Sequence, residues 1–190
     1  MNTMQRDEAW SLLNEYVKNA ALVRHCLAVE ASMRYYARLY GADEALWGLT
    51  GLLHDFDYER FPEPPAHTRE GAKILRERGV DEEIVGAILS HAEWNLDEFP
   101  RDRPLRRTLF AVDELSGFIV ACALVRPERL IGMKASSVRK KMKQASFAAA
   151  VSREDIVAGA ELLGIELSDH VNNCIMALTE RAETLELTQQ

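Results

Sequence analysis

Cysteine is scarce in this 190-residue chain: Cys26, Cys122 and Cys174 are odd in number and widely spaced. That excludes a disulfide framework and any zinc-type pairing of thiols. Each lies among apolar neighbours, so buried free thiols in a reducing cytoplasm are expected. Long apolar runs are missing too. The longest, Phe118 to Val125, falls far short of the roughly 20 residues that span a bilayer, so no membrane partner is expected. Met1 to Trp10 contains Arg6, Asp7 and Glu8 and no apolar centre, so a secretory signal is not expected either. Positive charge is in deficit. Lys+Arg total 23 against 30 Asp+Glu, a formal charge of −7, which is a poor balance for a protein that coats nucleic acid. No Gly-x-Ser-x-Gly elbow, Walker Gly-x-x-x-x-Gly-Lys loop or Gly-x-Gly-x-x-Gly turn occurs. Serine hydrolases, P-loop NTPases and dinucleotide oxidoreductases are thereby disfavoured. Alternating strand patterns and Asn-Gly or Asp-Gly turns are absent as well, which leaves no basis for a sheet.

What is present is helical periodicity. Hydrophobic residues make up 47% and charged residues 28% of the chain, the balance of a globular protein, and residues 1–190 suit a single domain. Trp10, Leu13 and Val17 define a helix from Asp7 to about Asn19. A second carries Leu22, Cys26, Val29, Met33 and Tyr36 and stops at Gly41. Asp43 caps a third, with Leu46, Leu49 and Leu53 inward. The run Phe61-Pro-Glu-Pro-Pro65 must be a loop. Helices follow from about Thr68 to Glu77 and from Asp81 through His91. After a break at Pro100–Pro104 comes a long one over Leu105–Val125. A short basic helix is expected around Ser137–Lys143, another from Ser152 with Asp155 completing a capping box, and a last from near Ser168. The fold class is all-α.

Only five histidines occur, and four fall into a pattern. His25 lies on the apolar stripe of its helix between Leu22 and Val29. His54-Asp55 ends the third helix, and His67 and His91 flank the fourth and fifth. Asp113 shares a helical face with Leu109, Phe110, Ser116 and Val120, where a carboxylate needs a partner. A cation would serve. His25, His54, Asp55 and Asp113 form a plausible ligand set for a divalent transition metal, and His67 and His91 could hold a second ion with Asp55 bridging. Imidazole-rich ligation points to Fe, Mn, Co, Ni or Zn, one ion or two. Taken singly, each residue has a plainer reading. His67 could start its helix, His91 could favour its helix dipole, and Asp113 could pair with Arg107.

The segments Arg24-His25-Cys-Leu-Ala-Val, Gly51-Leu-Leu-His54-Asp55, His67-Thr-Arg-Glu-Gly71-Ala72, Ala87-Ile-Leu-Ser-His91 and Ala111-Val-Asp113 together resemble the HD-domain metal-dependent phosphohydrolases. The resemblance covers about Leu22 to Ser116. Its local phrasing is similar to the branch that hydrolyses diadenosine tetraphosphate at a two-iron site, and it departs at Phe56-Asp57-Tyr58 and beyond Asp113. It implies a helical bundle with an HD core over about 22–125 and a helical annex over about 126–190. It also implies hydrolysis of a phosphomonoester or phosphoanhydride in a small nucleotide-like substrate. An ion in such a site lowers the pKa of its water from about 15.7 toward roughly 7. His54, Asp55 and Asp57 are then the catalytic candidates, with Asp57 or Glu59 acting as a general base or as an orienting group, or else both being solvated loop acids. Other members of the same superfamily suggest two further classes, a di-iron oxygenase or a nucleotide sensor without turnover.

One segment stands apart in charge. Arg126 to Lys143 holds seven cations against Glu128 alone, a local charge of +6 that leaves −13 for the rest of the chain. Lys140 and Lys141, with Arg107 before Asp113, are candidates for holding substrate phosphate beside the metal. Otherwise the segment is a solvated helical face. It lacks interleaved aromatics, so nucleic acid is not an expected partner. Trp94 is placed either to pack or to stack on a base. His170 has no assigned role.

Overall fold

The computed structural model describes residues 4–189, and these are helical throughout, with no strand among them. The helices are α1 (Arg6–Tyr16), α2 (Ala20–Tyr40), α3 (Glu44–Leu53), α4 (Ala66–Glu77), α5 (Glu82–His91), α6 (Pro104–Leu124), α7 (Ala135–Met142), α8 (Arg153–Leu163) and α9 (Leu167–Glu180). The all-α reading holds. None of these helices is long and apolar enough to cross a membrane. All three cysteines are free and buried.

Most helix boundaries follow the capping chemistry of the sequence. Asp43 accepts from Ala45 N and Leu46 N to start α3, and Asp81 accepts from Glu83 N to start α5. Gly41, at φ +63°, ends α2 in the left-handed conformation that glycine adopts without penalty. Three details differ from expectation. The first helix ends at Tyr16 rather than Asn19, because the Asn19 side chain caps α2 through Ala21 N and Leu22 N. The basic helix begins two residues early, at Ala135. At Ser152 only half of the capping box forms: Ser152 Oγ accepts from Asp155 N, while Ser152 N donates to Glu114 of α6 instead.

The centre of the bundle is α2, which packs against α3, α6 and α9. Its buried face of Cys26, Val29, Met33, Tyr36 and Ala37 meets Leu49, Leu52 and Leu53 of α3 and Leu109, Leu115 and Phe118 of α6 in one continuous core. Each fully buried side chain of this size contributes about 1.5–3 kcal/mol of apolar transfer. The crossing of α2 and α3 is unusually close. A Cβ at Gly51 would lie 2.9 Å from the backbone of Val29 and Glu30, so only glycine allows this approach. The closeness matters three residues later, where His54 meets His25. Glu30, buried on the same helix, is neutralised by Arg6 and Arg34, each at 2.8–2.9 Å.

His170 is a structural residue. It is fully buried on α9, where Nε2 donates to Ala111 O at 2.8 Å and Nδ1 lies 2.6 Å from Tyr36 Oη, fastening α9 to α6 and α2. The carbonyl can only accept, so Nδ1 is left to receive the tyrosine proton. Burial pushes the imidazole down to about 4, against the hydrogen bond to Ala111. The unfolded chain binds this proton near pH 6.5 and the folded chain only near 4. Stability from this group is therefore complete above pH 6.5 and is lost as pH falls from there toward 4. Between pH 7 and pH 5 the loss should be about 2 kcal/mol. Urea unfolding of His170→Gln should show lower stability at pH 7 but a dependence on pH shallower by about that amount.

Candidate metal centre

The third helix delivers His54 as its C-cap, and the chain then turns through Asp55. On the opposite side α2 presents His25 and α6 presents Asp113. The His25 and His54 Nε2 atoms are 3.1 Å apart. Asp113 Oδ1 stands 3.0 Å from the first and 3.3 Å from the second. Asp55 Oδ2 faces the same pair at 3.7 and 3.5 Å. Its other oxygen, Oδ1, faces away, 3.3 Å from His67 Nε2 and 3.5 Å from His91 Nε2. All six residues singled out as ligands therefore meet, with one carboxylate between two pairs of imidazoles. The donor atoms of His25, His54 and Asp55, and those of Asp55, His67 and His91, each lie within 4.8 Å of one another.

Hydrogen bonds on the far side of the rings decide which nitrogen is offered. His54 Nδ1 lies 2.8 Å from Gly51 O, and His91 Nδ1 lies 2.6 Å from Ile88 O. Carbonyl oxygens only accept, so each Nδ1 carries a hydrogen and each neutral ring turns the lone pair of Nε2 inward. The lone pair of His54 Nε2, beside the carboxylates of Asp55 and Asp113, calls for a cation or a further proton. Protons fill that role in the metal-free chain. Burial disfavours the charged His54 ring, but the negative charges of Asp55 and Asp113 outweigh it and hold His54 up at about 9. At His67 burial is likewise overcome by hydrogen bonds to Asp55 and Asp57, again giving about 9. The carboxylates of Asp55 and Asp113 are held well below their ordinary range, since the neighbouring imidazoles outweigh their burial. A divalent ion would displace these protons and satisfy the same charges, so the donor set fits a metal.

His67 is held in an unusual way. Its ψ of 138° and the φ of +67° at Thr68 break α4, so that regular helix begins only at Arg69. A β-branched residue in the left-handed region is an outlier that costs about 1–3 kcal/mol. Asp57, buried beneath it, holds this turn. One of its oxygens accepts from Thr68 N at 2.8 Å and Gly71 N at 3.0 Å, and the other lies 3.0 Å from His67 Nδ1. The spacing from His67 to Gly71 thus has a steric reason, since a Cβ at Gly71 would stand 2.7 Å from the Asp57 carboxylate. Asn95 adds a bond to Thr68 Oγ1 at 2.9 Å.

The cluster opens into a cleft of about 450 Å3. Asp57 is not among its lining residues; it sits behind His67 with both oxygens engaged, in the orienting position among those open to it from sequence. Glu59, exposed between α3 and α4, reaches the α1–α2 turn, where it accepts from Lys18 N and Asn19 N. Arg107 does not pair with Asp113 or line the cleft. Its guanidinium bonds Asp102 O, because six residues of helix turn it away from the Asp113 face. Lys140 and Lys141 also stand apart, lining a different groove. They are placed there because α7 packs on α9 and α6 beyond the cleft.

Several cleft residues had no clear signal in the sequence. Tyr58 and Trp94, both well exposed, set their ring edges around His67, with centroids 5.0 and 6.0 Å from its ring. Glu93, Glu114 and Asp155 add acidity to the wall, and no lysine or arginine lines it among the described residues. Burial and the charge of Asp113 push Glu114 up to about 7, a measure of how negative this cleft is without an ion. Arg101 feels the charges of Glu93, Asp155 and Asp113. It stacks 3.6 Å from Phe110 and bonds Ser90 O and His91 O, fixing the end of α5 that carries His91.

A family model described as the HD domain matches residues 22–118, just over half the chain. No curated protein and no solved structure matches it. Two outcomes follow from the geometry. His54→Ala or Asp55→Ala should abolish metal retention, read by elemental analysis, while far-UV circular dichroism keeps the helical signal; unchanged metal content in either would refute the assignment. Asp57→Asn should lower affinity on the His67–His91 side by about 10–100-fold. Metal titration should then show a weakened second equivalent with the His25–His54 side retained.

Proposed function

The chain belongs to the HD-domain family, and on that footing we propose that it is a metal-dependent phosphohydrolase acting on a phosphomonoester or phosphoanhydride of a small nucleotide-like substrate. The observation that carries this reading is the Asp55 carboxylate, with each of its oxygens turned to a separate pair of imidazoles. That arrangement suits two transition-metal ions sharing one ligand, and a pair of ions suits phosphoryl chemistry because both attacking and leaving oxygens develop charge. Bound ions would polarise water and the phosphate oxygens, the chemistry for which Ser and Cys nucleophiles are otherwise recruited.

The protein's own part is positioning. His25, His54 and Asp113 serve one side, His67 and His91 the other, and Asp57 fixes the tautomer of His67 by taking its Nδ1 proton in a hydrogen bond. With no lysine or arginine on the cleft wall among the described residues, attraction of a phosphate rests chiefly on the ions. Substrate affinity is therefore tied to metal occupancy. Trp94 and Tyr58 at the rim offer ring surface to a base, in keeping with a nucleotide-like substrate and with the local similarity to hydrolases of diadenosine tetraphosphate.

The test is a phosphatase and phosphodiesterase panel on metal-replete protein under anaerobic conditions. Phosphate release without oxygen, abolished by chelation, is the expected result. Turnover that requires O2 would replace the reading with a di-iron oxygenase. Tight nucleotide binding by a metal-replete but inert protein would make the domain a sensor.

A further inference from the structure

The basic segment that the metal cleft does not use has a cavity of its own. A groove of about 520 Å3 lies between the C-terminal end of α6 and α7, lined by Cys122, Arg126, Met133, Val138, Lys140 and Lys141, with Glu128 its one acid. Cys122, Met133 and Val138 are buried and form an apolar floor. The cations are poorly satisfied. Among the described residues the only ion pair made by residues 126–143 is Arg126 with Glu128, at the 4.0 Å limit. Arg126 bonds Ile131 O through Nη2 at 2.9 Å, while its Nε is buried without a hydrogen-bond partner. Lys141 is half-buried with no carboxylate beside it; its ammonium meets the face of Phe147 at 4.6 Å and Gln144 Oε1 at 3.4 Å. The groove thus sets three cations, with one distant carboxylate, beside an apolar floor.

We propose that this groove is a second binding site, separate from the metal cleft, for a small organic phosphate carrying two or more negative charges. Three cations against one acid call for a multiply charged anion, and the apolar floor calls for an organic part beside it. The volume admits a ligand the size of a mononucleotide. A long acidic polymer fits less well, because the other cations are not aligned with the groove: Arg129 bonds Leu124 O and Arg139 bonds Ser168 Oγ. Nor is the groove an arm of the cleft. Gly117 lines the cleft and Cys122 the groove, about 7.5 Å apart along α6. Between them stands the edge-to-face pair of Phe118 and Phe147, with Arg153 stacked on Phe118 at 4.7 Å.

The test is calorimetric titration of the full chain in EDTA with ADP and with pyrophosphate, so that no ion in the cleft contributes. ADP should bind, more tightly than pyrophosphate, and at least ten-fold more weakly to Lys140→Glu and Lys141→Gln. Lys140 is exposed and makes no ion pair, so Lys140→Glu should keep the wild-type melting temperature. His54→Ala should bind ADP as the wild type does. Methyl resonances of Met133 and Val138 should shift on ADP addition while those of Val151, at the cleft, stay fixed. Failure of the wild type to bind either probe would overturn the proposal, as would undiminished affinity in both lysine variants. Loss of binding in His54→Ala would return the ligand to the cleft, and pyrophosphate binding as tightly as ADP would remove the organic part. None of these readings depends on turnover, so they stand or fall apart from the proposed hydrolysis.

Discussion

A carboxylate that must be shared governs this structure. Asp55 is placed where each of its oxygens is approached by two imidazole nitrogens, and Asp113 adds a second negative charge against His25 and His54. Neither charge can be left uncompensated at this depth, because the desolvation cost is several kcal/mol per ion. In the metal-free chain the compensation comes from protons on the histidines, and a divalent ion can take it over. The bundle around the cluster is arranged so that five elements converge on this point.

That convergence depends on features whose purpose is steric. Gly51 lets α3 sit against the backbone of α2, and the same approach brings His54 to within 3.1 Å of His25. Gly71 leaves room for the Asp57 carboxylate, which in turn stabilises the left-handed Thr68 and sets the ring of His67. Strain at Thr68 is thus tied to the direction in which one ligand points. On the other side, Arg101 locks the last carbonyls of α5, so the His91 ring is fixed at its backbone as well as through Nδ1. Glu114 joins the N-terminus of α8 to the helix bearing Asp113, and through it the C-terminal helices help to hold the cleft wall.

The helices were legible because helical periodicity and caps are local. Asn19, Asp43, Asp81 and Ser152 act within three residues of themselves, and the misjudged end at Tyr16 came from assigning Asn19 to the helix it follows rather than to α2, which it caps. The six residues of the cluster were legible for a different reason: His25 and Asp113 stand on apolar stripes, where polar groups require partners, and the order of all six resembles the HD pattern. Tertiary destinations were not. Nothing within residues 126–134 says which side of α6 the basic helix will pack on, so Lys140 and Lys141 could not be assigned to a cavity from composition. Arg107 misled because distance along a helix was weighed without its phase: six residues place it well off the Asp113 face. Asp57 could be read as base or as orienting group until the fold showed three donors already on it.

The charge distribution separates two tasks that a phosphate-handling protein often combines. The cleft walls hold Glu93, Glu114 and Asp155 around the carboxylates of Asp55 and Asp113 and, among the described residues, no lysine or arginine, so without ions the histidine protons are the positive charge there. Lysine and arginine line the α6–α7 groove instead, beyond the Phe118–Phe147 wall. A net charge of −7 therefore averages two opposed environments on one long helix. An acidic cleft favours cations first and anions chiefly through them. A groove with fixed arginine and lysine charges has no such condition, and its occupancy follows the ligand alone. The cleft and the groove share α6, yet the electrostatic requirements proposed for them are independent, because one would take its positive charge from a bound ion and the other from the chain.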